Sequence, residues 1–290
     1  MKPLVSILMT VYNREIFIIE AIESVLANNY SNWELIITDD CSSDNSFAIA
    51  KGFAEKNDRI KLFKNEKNLG DYPNRNKAAS LAKGEFIMYV DSDDKLNADT
   101  INNILYSDEI VKCLNFAMYW PHSSDTFSLP GDKAIRKHFF EKQFLYMGPG
   151  GTFIRKSFYE SIGGYPVKYG PANDMFFNLK ACCYSDIYLY PFEFIYYRIH
   201  DGQEINNKDS YIFYGYNYMR DALNCLPLPI TENERKFLLK KNKRRFVVNL
   251  YRQLLFSKNL KQVIIGWKNA SFSFIDFLQG LFHLNLKKYK

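Results

Sequence analysis

A turn of closely spaced carboxylates, Asp91-Ser92-Asp93-Asp94, follows an apolar run at residues 86–90. Carboxylates this close repel one another, and they tolerate burial only beside a cation. A hard divalent ion with oxygen ligands would hold them together and neutralise charge on a departing phosphate group. The other interpretation is a solvated turn in which Asp94 or Asn97 caps the following helix. The position directly after an apolar strand favours the metal.

Two other polar groups follow apolar runs in the same way, Thr10 and the pair Asp39-Asp40. An open α/β sheet binds ligands beyond the carboxyl ends of its strands. We therefore expect these groups and the acidic turn to converge on one crevice. The alternative for Asp39-Asp40 is helix capping alone, although Ser42 and Ser43 are also available for that role.

The elements that would position these groups follow a regular order. Apolar and amphipathic helical runs alternate over the first hundred residues, which is typical of a mainly parallel sheet flanked by helices. Strands are predicted at residues 4–9, 33–38, 60–63 and 86–90, and helices at about 16–27, 42–57 and 74–82. Later predictions are strands at 114–120 and 187–199, helices at 133–142 and 175–183, a helix ended by Gly163-Gly164, and helices from residue 211 onwards.

The composition is that of a globular protein. The chain has 290 residues, 47% of them hydrophobic, which suffices for one large α/β domain with an appendage. Its five cysteines form no CxxC pair and no Cys/His ligand pattern, so the sequence indicates neither a zinc site nor a disulfide framework. The N-terminal apolar run is too short for a signal peptide, and no run approaches the ~20 apolar residues that span a bilayer. We expect a cytosolic protein that does not cross a membrane.

The net charge of +6 is unevenly distributed along the chain. Residues 231–290 hold 14 Lys+Arg and 3 Asp+Glu, a charge of +11, whereas residues 1–230 hold 24 and 29, a charge of −5. Basic, aromatic helices of this kind suit the surface of an anionic membrane. The alternative is a helical cap that packs its apolar stripe on the rest of the protein and leaves its charges solvated. Nucleic acid is disfavoured because no recognition motif accompanies the charge.

The sequence contains several short motifs in a specific order and spacing. They lie at residues 5–13, 21–26, 39–44, 68–70, 75–76, 82–87 and 91–94. In this order they resemble the inverting family 2 glycosyltransferases of the GT-A fold, over roughly residues 3–200. Each motif alone is weak, and the specificity comes from their combination.

The resemblance implies a nucleotide-sugar site that contains Mn²⁺ or Mg²⁺. Asp91 and Asp93 would bind the metal together with the donor diphosphate. The implied nucleotide-binding residues are Thr10, Tyr12, Asp40, Asn68, Arg75, Asp91 and Ser92. Thr10 and Tyr12 would line the base and ribose, and Asp40 would accept a hydrogen bond from the imide N–H of uracil or thymine, as an acceptor-only carboxylate can. Arg75 would pair with phosphate or, alternatively, lie on a solvated helix face.

Transfer with inversion also needs a base that removes the acceptor proton. The family places an acidic pair after a Gly-Gly segment, and the matching residues here are Asn173-Asp174. The resemblance therefore implies Asp174 as the base, and the alternative is an acidic residue favoured by a helix N-terminus. Asn173 departs from the family pattern, which puts acceptor recognition in doubt. The segment 197–200 also matches the family and implies that His200 contacts the metal or diphosphate, or else is structural.

The resemblance and the residues lead to one prediction. We predict a GT-A-like α/β catalytic domain at residues 1–205, with a nucleotide-sugar half at about 1–110 and an acceptor half at about 111–205. A basic helical region would follow at 206–290. The enzyme would transfer a hexosyl group from a UDP-sugar to a glycan or lipid-linked glycan. It would work in bacterial surface polysaccharide or glycolipid synthesis, in the cytoplasm or on the inner face of the plasma membrane.

Three other functions compete with this prediction. A dinucleotide-dependent oxidoreductase is disfavoured because the loop Tyr12-Asn13-Arg14-Glu15 contains no GxGxxG. A nucleotidyltransferase should carry a glycine-rich phosphate loop after its first strand, and this chain does not. A catalytically silent nucleotide-sugar-binding protein stays open because of Asn173. The sequence leaves the donor sugar, the acceptor, the linkage and the oligomeric state undetermined.

Overall fold

A computed structural model describes residues 2–122, 124–201, 203, 211–257, 260–270 and 272–282. The predictions for residues 206–210 and 283–290 lie outside these residues. The chain divides into two compact units. The first comprises Met1–Gly131, Tyr146–Tyr165 and Ser185–Ile199, and the second comprises Asp132–Leu145, Pro166–Tyr184 and His200–Lys290. The division at residue 205 stays a prediction.

The first unit is built on an eight-stranded sheet flanked by helices. Its strands are β1 Val5–Val11, β2 Trp33–Asp39, β3 Ile60–Lys64, β4 Phe86–Tyr89, β6 Phe116–Tyr119, β7 Phe127–Leu129, β8 Thr152–Arg155 and β9 Ile187–Tyr190, in the order β3-β2-β1-β4-β8-β6-β9-β7. β1 pairs in parallel with β2 and β4, β2 with β3, and β6 with β9. The remaining neighbours are antiparallel. β5 Lys95–Leu96 and β10 Ile195–Tyr196 form a small separate antiparallel sheet.

The buried strands explain why the first hundred residues were predictable. All seven residues of β1 and all seven of β2 are buried, as expected of parallel strands covered on both faces. The helices of this unit are α1 Ile18–Leu26, α2 Ser46–Ala54, α3 Asp71–Leu81, α4 Thr100–Ile104, α5 Asp108–Cys113 and α7 Lys156–Ser161. α1 packs Ile18, Ala21, Ile22 and Val25 into a core that they share with strand residues of the sheet. The predicted α/β class with a mostly parallel sheet is confirmed.

The second unit is helical in its described residues. It contains α6 Gly131–Phe140, α8 Asn173–Tyr184, α9 Tyr211–Cys225, α10 Glu232–Arg252, a π-helical turn at Gln253–Ser257, α11 Leu260–Asn269 and α12 Phe274–Phe282. The predicted C-terminal helices are therefore present. None of the described helices combines the length and the apolarity that crossing a membrane requires.

Two predicted elements differ from the observed ones. α3 begins at Asp71, three residues before the predicted start, because Pro73 is tolerated in the first helical turn, where its missing N–H costs nothing. The predicted strand at 187–199 is divided into β9 and β10, since Pro191 cannot donate to a sheet ladder. The left-handed helix end at Gly163-Gly164 is confirmed, with φ values of 80° and 63°.

Candidate active site

The end of β1 joins two acidic loops of the first unit. The backbone N–H of Asp40, which follows β2, donates to the carbonyl of Val11 over 2.7 Å. The hydroxyl of Ser92, which follows β4, donates to the carbonyl of Thr10 over 2.8 Å. Because β2 and β4 flank β1 in parallel, both loops leave the same edge of the sheet. The structure thus places Thr10, Asp40 and the acidic turn at neighbouring strand ends.

Asp40 is held by neutral donors. Its side chain accepts hydrogen bonds from Asn65 Nδ2 at 2.7 Å and from the backbone N–H groups of Leu69 and Gly70 at 2.8 and 2.9 Å. The residue is 3% exposed, and these three donors satisfy the hydrogen-bonding capacity of a carboxylate that has little contact with water. The same contacts fix the 69–70 loop. The side chain of Asn68, at the surface, accepts the Gly70 N–H as well, over 3.0 Å.

Asn65 is positioned by a second layer of polar contacts. Its Nδ2 also donates to Asn74 Oδ1 at 2.9 Å, and its Oδ1 accepts from Lys77 Nζ at 2.6 Å. Asn74 in turn donates to the carbonyl of Thr38 over 3.0 Å. Asn65 and Asn74 are almost fully buried. Asp40 is therefore positioned from both β3 and α3.

The helix-capping alternative for Asp39-Asp40 is wrong. α2 begins at Ser46, whose N–H donates to Asp44 Oδ1 over 2.9 Å. Asp39 instead accepts the N–H of Ser42 at 3.0 Å. Ser42 does not cap the helix either, since its hydroxyl accepts the N–H of Asn13 at 3.1 Å.

The acidic turn after β4 gathers three carboxylates. One oxygen from each of Asp91, Asp93 and Asp94 lies within 4.8 Å of the others. Asp94 is buried and accepts the backbone N–H of Arg198 at 2.9 Å. Burial and the neighbouring Asp91 carboxylate raise the pKa of Asp94 to about 7.

The helix-capping alternative for this turn is also wrong. α4 begins at Thr100 with Asp99 at its N-cap position, five residues beyond Asp94. The side chain of Asn97 donates to the carbonyl of Glu193 over 2.7 Å. Neither predicted capping residue serves this helix.

Two arginines form ion pairs with carboxylates of the acidic turn. Arg75 Nη1 lies 2.6 Å from Asp91 Oδ1, and Arg14 Nε lies 2.9 Å from Asp93 Oδ2. Arg75 is 6% exposed and also pairs with Asp71, one helical turn earlier, at 2.8 Å. Burial acts to lower the pKa of Arg75, but the Asp71 and Asp91 carboxylates outweigh it and raise that pKa. Arg75 thus does not lie on a solvated helix face.

The arginines change the electrostatic argument for a metal. The sequence indicated that clustered carboxylates need a cation, and two guanidinium groups already neutralise part of their charge. Three carboxylate oxygens within 4.8 Å of one another nevertheless suit Mn²⁺ or Mg²⁺, which prefer oxygen ligands. The residues present therefore fit the predicted metal.

Tyr12, the other predicted base-lining residue, is 48% exposed just beyond β1. Asp174 and His200 belong to the second unit. Asp174 lies in the first turn of α8, is 8% exposed and accepts the backbone N–H of Met175 at 2.6 Å. His200 is partly exposed, and its backbone N–H donates to Gln203 over 3.1 Å. Their roles as base and metal ligand stay predictions.

Asn173 has a structural role that explains its departure from the acidic pattern. Its Oδ1 accepts the N–H of Tyr169 at 2.9 Å, and its Nδ2 donates to the carbonyl of Gly170 at 2.7 Å. An ionised aspartate could accept the first bond but could not donate the second. The amide therefore braces the turn that leads into α8.

Sequence reasoning missed three residues of this network, Arg14, Asn65 and Asp71. A signal existed for Asn65, because it directly follows β3 and the strand-end rule applies to that strand as well. Asp71 lies four residues before Arg75, the spacing of a helical ion pair. Nothing in the sequence joins Arg14 to Asp93, which is 79 residues away.

Comparison with known proteins decides the family. The family model described as "Glycosyl transferase family 2" matches residues 6–162, more than half of the chain. The chain belongs to glycosyl transferase family 2. The matched region spans β1 to α7 and so contains Asp40, its hydrogen-bond donors and the acidic turn.

Curated relatives match about a third of the chain at moderate identity. The putative teichuronic acid biosynthesis glycosyltransferase TuaG of Bacillus subtilis is 38% identical over 104 residues, 36% of this chain and 41% of that protein. The Escherichia coli enzyme named UDP-Glc:alpha-D-GlcNAc-diphosphoundecaprenol beta-1,3-glucosyltransferase WfgD is 47% identical over 91 residues, 31% of this chain and 35% of that protein. This chain thus spans less than half of the length of these relatives.

Solved structures share the fold over nearly the whole chain. Residues 1–349 of S. aureus TarS in complex with UDP-GlcNAc align with a TM-score of 0.71 at 20% identity, over 95% of this chain and 81% of that one. The mannosyltransferase PcManGT of Pyrobaculum calidifontis, in complex with GDP-Man and Mn²⁺, aligns with a TM-score of 0.63 at 15% identity, over 100% and 82%. At these identities the likeness shows the GT-A fold.

Proposed function

We propose that the chain is a metal-dependent glycosyltransferase that moves a hexosyl group from a UDP-sugar to an acceptor hydroxyl with inversion. The observation that supports this most directly is the pair of acidic loops at neighbouring strand ends, in a chain that belongs to glycosyl transferase family 2. One loop offers a buried acceptor, Asp40. The other offers a carboxylate cluster that suits a divalent cation and, through it, a diphosphate.

The residues of the first unit then have distinct tasks. Asp40 accepts the imide N–H of uracil, and its backbone and Asn65 donors fix its orientation. Thr10 and Tyr12 border the base and ribose, with Asn68 and Ser92 close to the same loops. Asp91 and Asp93 hold Mn²⁺ or Mg²⁺, which supplies Lewis-acid stabilisation of the leaving diphosphate when it is bound.

Arg14 and Arg75 orient these carboxylates and offer positive charge towards the phosphates. Each guanidinium already donates to an aspartate of the turn. A bound diphosphate places further negative charge beside them, and guanidinium groups bind phosphate strongly. The arginines therefore favour donor binding as well as the geometry of the metal ligands.

In the second unit we propose Asp174 as the base that takes the acceptor proton, and His200 as a group that contacts the metal or diphosphate. A carboxylate in the first turn of a helix is favoured by the helix dipole and offers an oxygen that can accept a proton. Because Asn173 braces the preceding turn, its difference from the acidic pattern gives no support to a catalytically silent protein.

We propose a glycan or lipid-linked glycan as the acceptor. WfgD is named for transfer to a diphosphoundecaprenol-linked sugar, and a Campylobacter jejuni relative, 32% identical over 105 residues, is named for a similar lipid carrier. TuaG is named for teichuronic acid biosynthesis. An enzyme of surface polysaccharide or glycolipid synthesis would meet such acceptors at the inner face of the plasma membrane.

A donor screen tests the proposal first. UDP-sugars are compared with GDP-sugars by thermal shift in the presence of Mn²⁺, because a bound donor stabilises the folded state by mass action. The donor that stabilises most is then assayed for release of nucleoside diphosphate with and without EDTA. We expect activity that EDTA abolishes and that Asp93→Ala lacks. Activity unchanged in EDTA, or stabilisation by no nucleotide sugar, would contradict the proposal.

The base is tested separately with Asp174→Asn, which keeps the shape of the side chain but cannot accept the proton. We expect transfer to fall by about 10²–10⁴, the usual contribution of a positioned base. Donor binding in the thermal-shift assay should be unchanged. Full transfer activity in Asp174→Asn would remove this residue from the base role without affecting the donor site.

A further inference from the structure

The last three helices have a core of their own. Phe246, Val247 and Leu250 of α10 pack with Val263 of α11 and with Phe272. α12 lies so close to α10 that a Cβ added to Gly280 would come 2.5 Å from the Val247 side chain. The inner faces of these helices thus pack against one another within the second unit.

Their outer surfaces are apolar as well. Among the side chains that the structure describes between positions 248 and 278, nine large hydrophobic ones are exposed: Val248, Tyr251, Leu254, Leu255, Leu260, Ile264, Phe274, Ile275 and Leu278. We call these nine residues the outer face. Leu255, Phe274 and Ile275 are each 66% exposed. Exposed apolar side chains concentrated in one short region mark an interaction surface, whereas scattered ones need no explanation.

The spacing of these residues follows the helices. Leu260 and Ile264 are one turn apart on α11, and Phe274 and Leu278 are one turn apart on α12, so each pair lies on one side of its helix. Val263 of α11 and Phe277 of α12 pack into the core instead. α11 and α12 therefore present apolar side chains both to the core and to solvent.

The charges around the outer face are positive. Seven basic residues on the described parts of these helices are exposed: Lys236, Lys240, Lys241, Arg245, Arg252, Lys261 and Lys268. Lys268 follows Ile264 by one further turn on the same side of α11. The one acidic residue in the sequence from 248 to 282 is Asp276, and it pairs with Lys243 at 2.6 Å.

We infer that the outer face docks the protein onto an anionic lipid surface, with its apolar side chains in the acyl boundary and its lysines at the headgroups. A helix that combines apolar and basic surface in this way lies in the plane of a membrane interface. Anionic lipid attracts each nearby Lys or Arg. A second copy of the chain would bring two strongly basic regions together, and their repulsion opposes self-association.

This inference rests on the proposed function only in that a lipid-linked acceptor gives the enzyme a reason to be at a membrane. Lipid binding itself requires neither donor nor acceptor. It is measured by co-sedimentation of the full chain with vesicles in the absence of nucleotide sugar. Failure of this test would leave the donor site untouched, and failure of the donor screen would leave this test untouched.

The first experiment compares vesicles of phosphatidylcholine with vesicles that also contain phosphatidylglycerol. We expect strong co-sedimentation with the anionic vesicles, weak co-sedimentation with the neutral ones, and loss of the difference at high salt. Equal binding to both vesicles, or binding to neither, would overturn the inference.

The second experiment removes the apolar contribution. The double variant Leu255→Ser/Ile275→Ser changes two highly exposed side chains and should weaken vesicle binding about tenfold or more, because their burial in the acyl boundary is lost. The matched control is Val167→Ser, which removes another exposed side chain of the second unit, 58% exposed and outside the outer face. The control should bind as the unchanged protein does, and equal binding by the double variant would count against the inference.

The third experiment removes the charge. Lys261→Glu and Lys268→Glu should each weaken binding to anionic vesicles about fivefold or more, since each nearby lysine contributes about 1 kcal/mol. Lys56→Glu, an exposed change in the first unit, should have no effect. Light scattering in solution tests whether a second copy of the chain, rather than a membrane, covers the outer face. A native dimer that Leu255→Ser/Ile275→Ser converts to a monomer would assign the outer face to a second copy and reject the membrane.

Discussion

The ends of β2 and β4 hold their carboxylates by different means. At the end of β2, Asp40 receives its hydrogen bonds from an asparagine and two backbone N–H groups, all of them neutral. At the end of β4, Asp91 and Asp93 are paired with Arg75 and Arg14. A single strand, β1, separates the two regions.

The difference matches what each end would bind. Neutral donors fix the orientation of Asp40 and leave its negative charge uncompensated, which suits a neutral partner that donates an N–H, such as a pyrimidine base. Guanidinium groups reduce the negative charge of the β4 turn, which suits an anionic diphosphate, while the carboxylate oxygens of the turn suit a cation. The two ends would then divide recognition of the nucleotide between base and phosphate.

The largest expected effect comes from breaking the charged region. Arg75→Leu removes the buried cation from Asp71 and Asp91, and we expect the free energy of unfolding in EDTA to fall by about 3 kcal/mol, the lower end of the usual cost of breaking a buried ion pair, because the two carboxylates keep 54% and 27% of their surface exposed. Urea denaturation measures it. Asn65→Ala, the equivalent change in the neutral region, should cost less, about 1–3 kcal/mol. An equal loss in the two variants would show that the distinction has no energetic basis.

A buried histidine of the second unit extends the comparison, because backbone N–H groups donate to its side chain as well. His138 is 4% exposed, and its Nδ1 accepts the backbone N–H groups of Phe144 and Leu145 at 3.1 and 3.0 Å. Burial lowers the pKa of His138 from 6.5 to about 4. Backbone N–H donors, which bind the carboxylate of Asp40, require a neutral ring here, since a protonated Nδ1 could not accept them.

The resulting pH dependence has a definite sign. Between pH 6.5 and 4 the unfolded chain binds a proton at His138 that the folded protein does not. Stability therefore falls as the pH falls through this window, by up to about 3 kcal/mol. His138→Gln keeps a neutral acceptor and should remove this part of the pH dependence. Thermal unfolding of the two proteins at several pH values measures it, and parallel curves would contradict the assignment.

The sequence predicted the strand ends but only part of what surrounds them. β1, β2 and β4 are mostly apolar runs, and that local pattern places Asp40 and Asp91 at one edge of a parallel sheet. The partners of these residues depend on side-chain directions and on long-range contacts. Arg14 meets Asp93 across 79 positions, and Asn65 meets Asp40 across 25.

Asn173 shows a different limit of sequence reasoning. Measured against an acidic family pattern, it suggested altered acceptor recognition. Its amide is needed because one atom accepts from Tyr169 while the other donates to Gly170. A pattern of residue types gives the charge at a position, whereas the requirement for simultaneous donor and acceptor becomes visible only with the turn in place.

The next expected effect separates phosphate from base recognition. Asp93→Asn should weaken UDP binding in Mn²⁺ about a hundredfold, because one metal ligand loses its charge, while binding of uridine, which has no phosphate, should be unchanged. Isothermal titration with the two ligands measures this. Asp99→Asn, a change at an exposed aspartate of the same loop region, is the control and should affect neither. Equal weakening of uridine and UDP would place Asp93 in the base pocket.

The smallest expected effect belongs to the neutral region and completes the comparison. Asp40→Asn keeps the shape of the side chain, but its amide N–H₂ then faces one of the donors that now point at the carboxylate, from Asn65, Leu69 or Gly70. We expect uridine and UDP to weaken together, about tenfold each, because one acceptor contact is lost. The ratio of the two affinities should stay as in the unchanged protein. A change confined to UDP would show that Asp40 acts on the phosphates, and the division between the two strand ends would no longer hold.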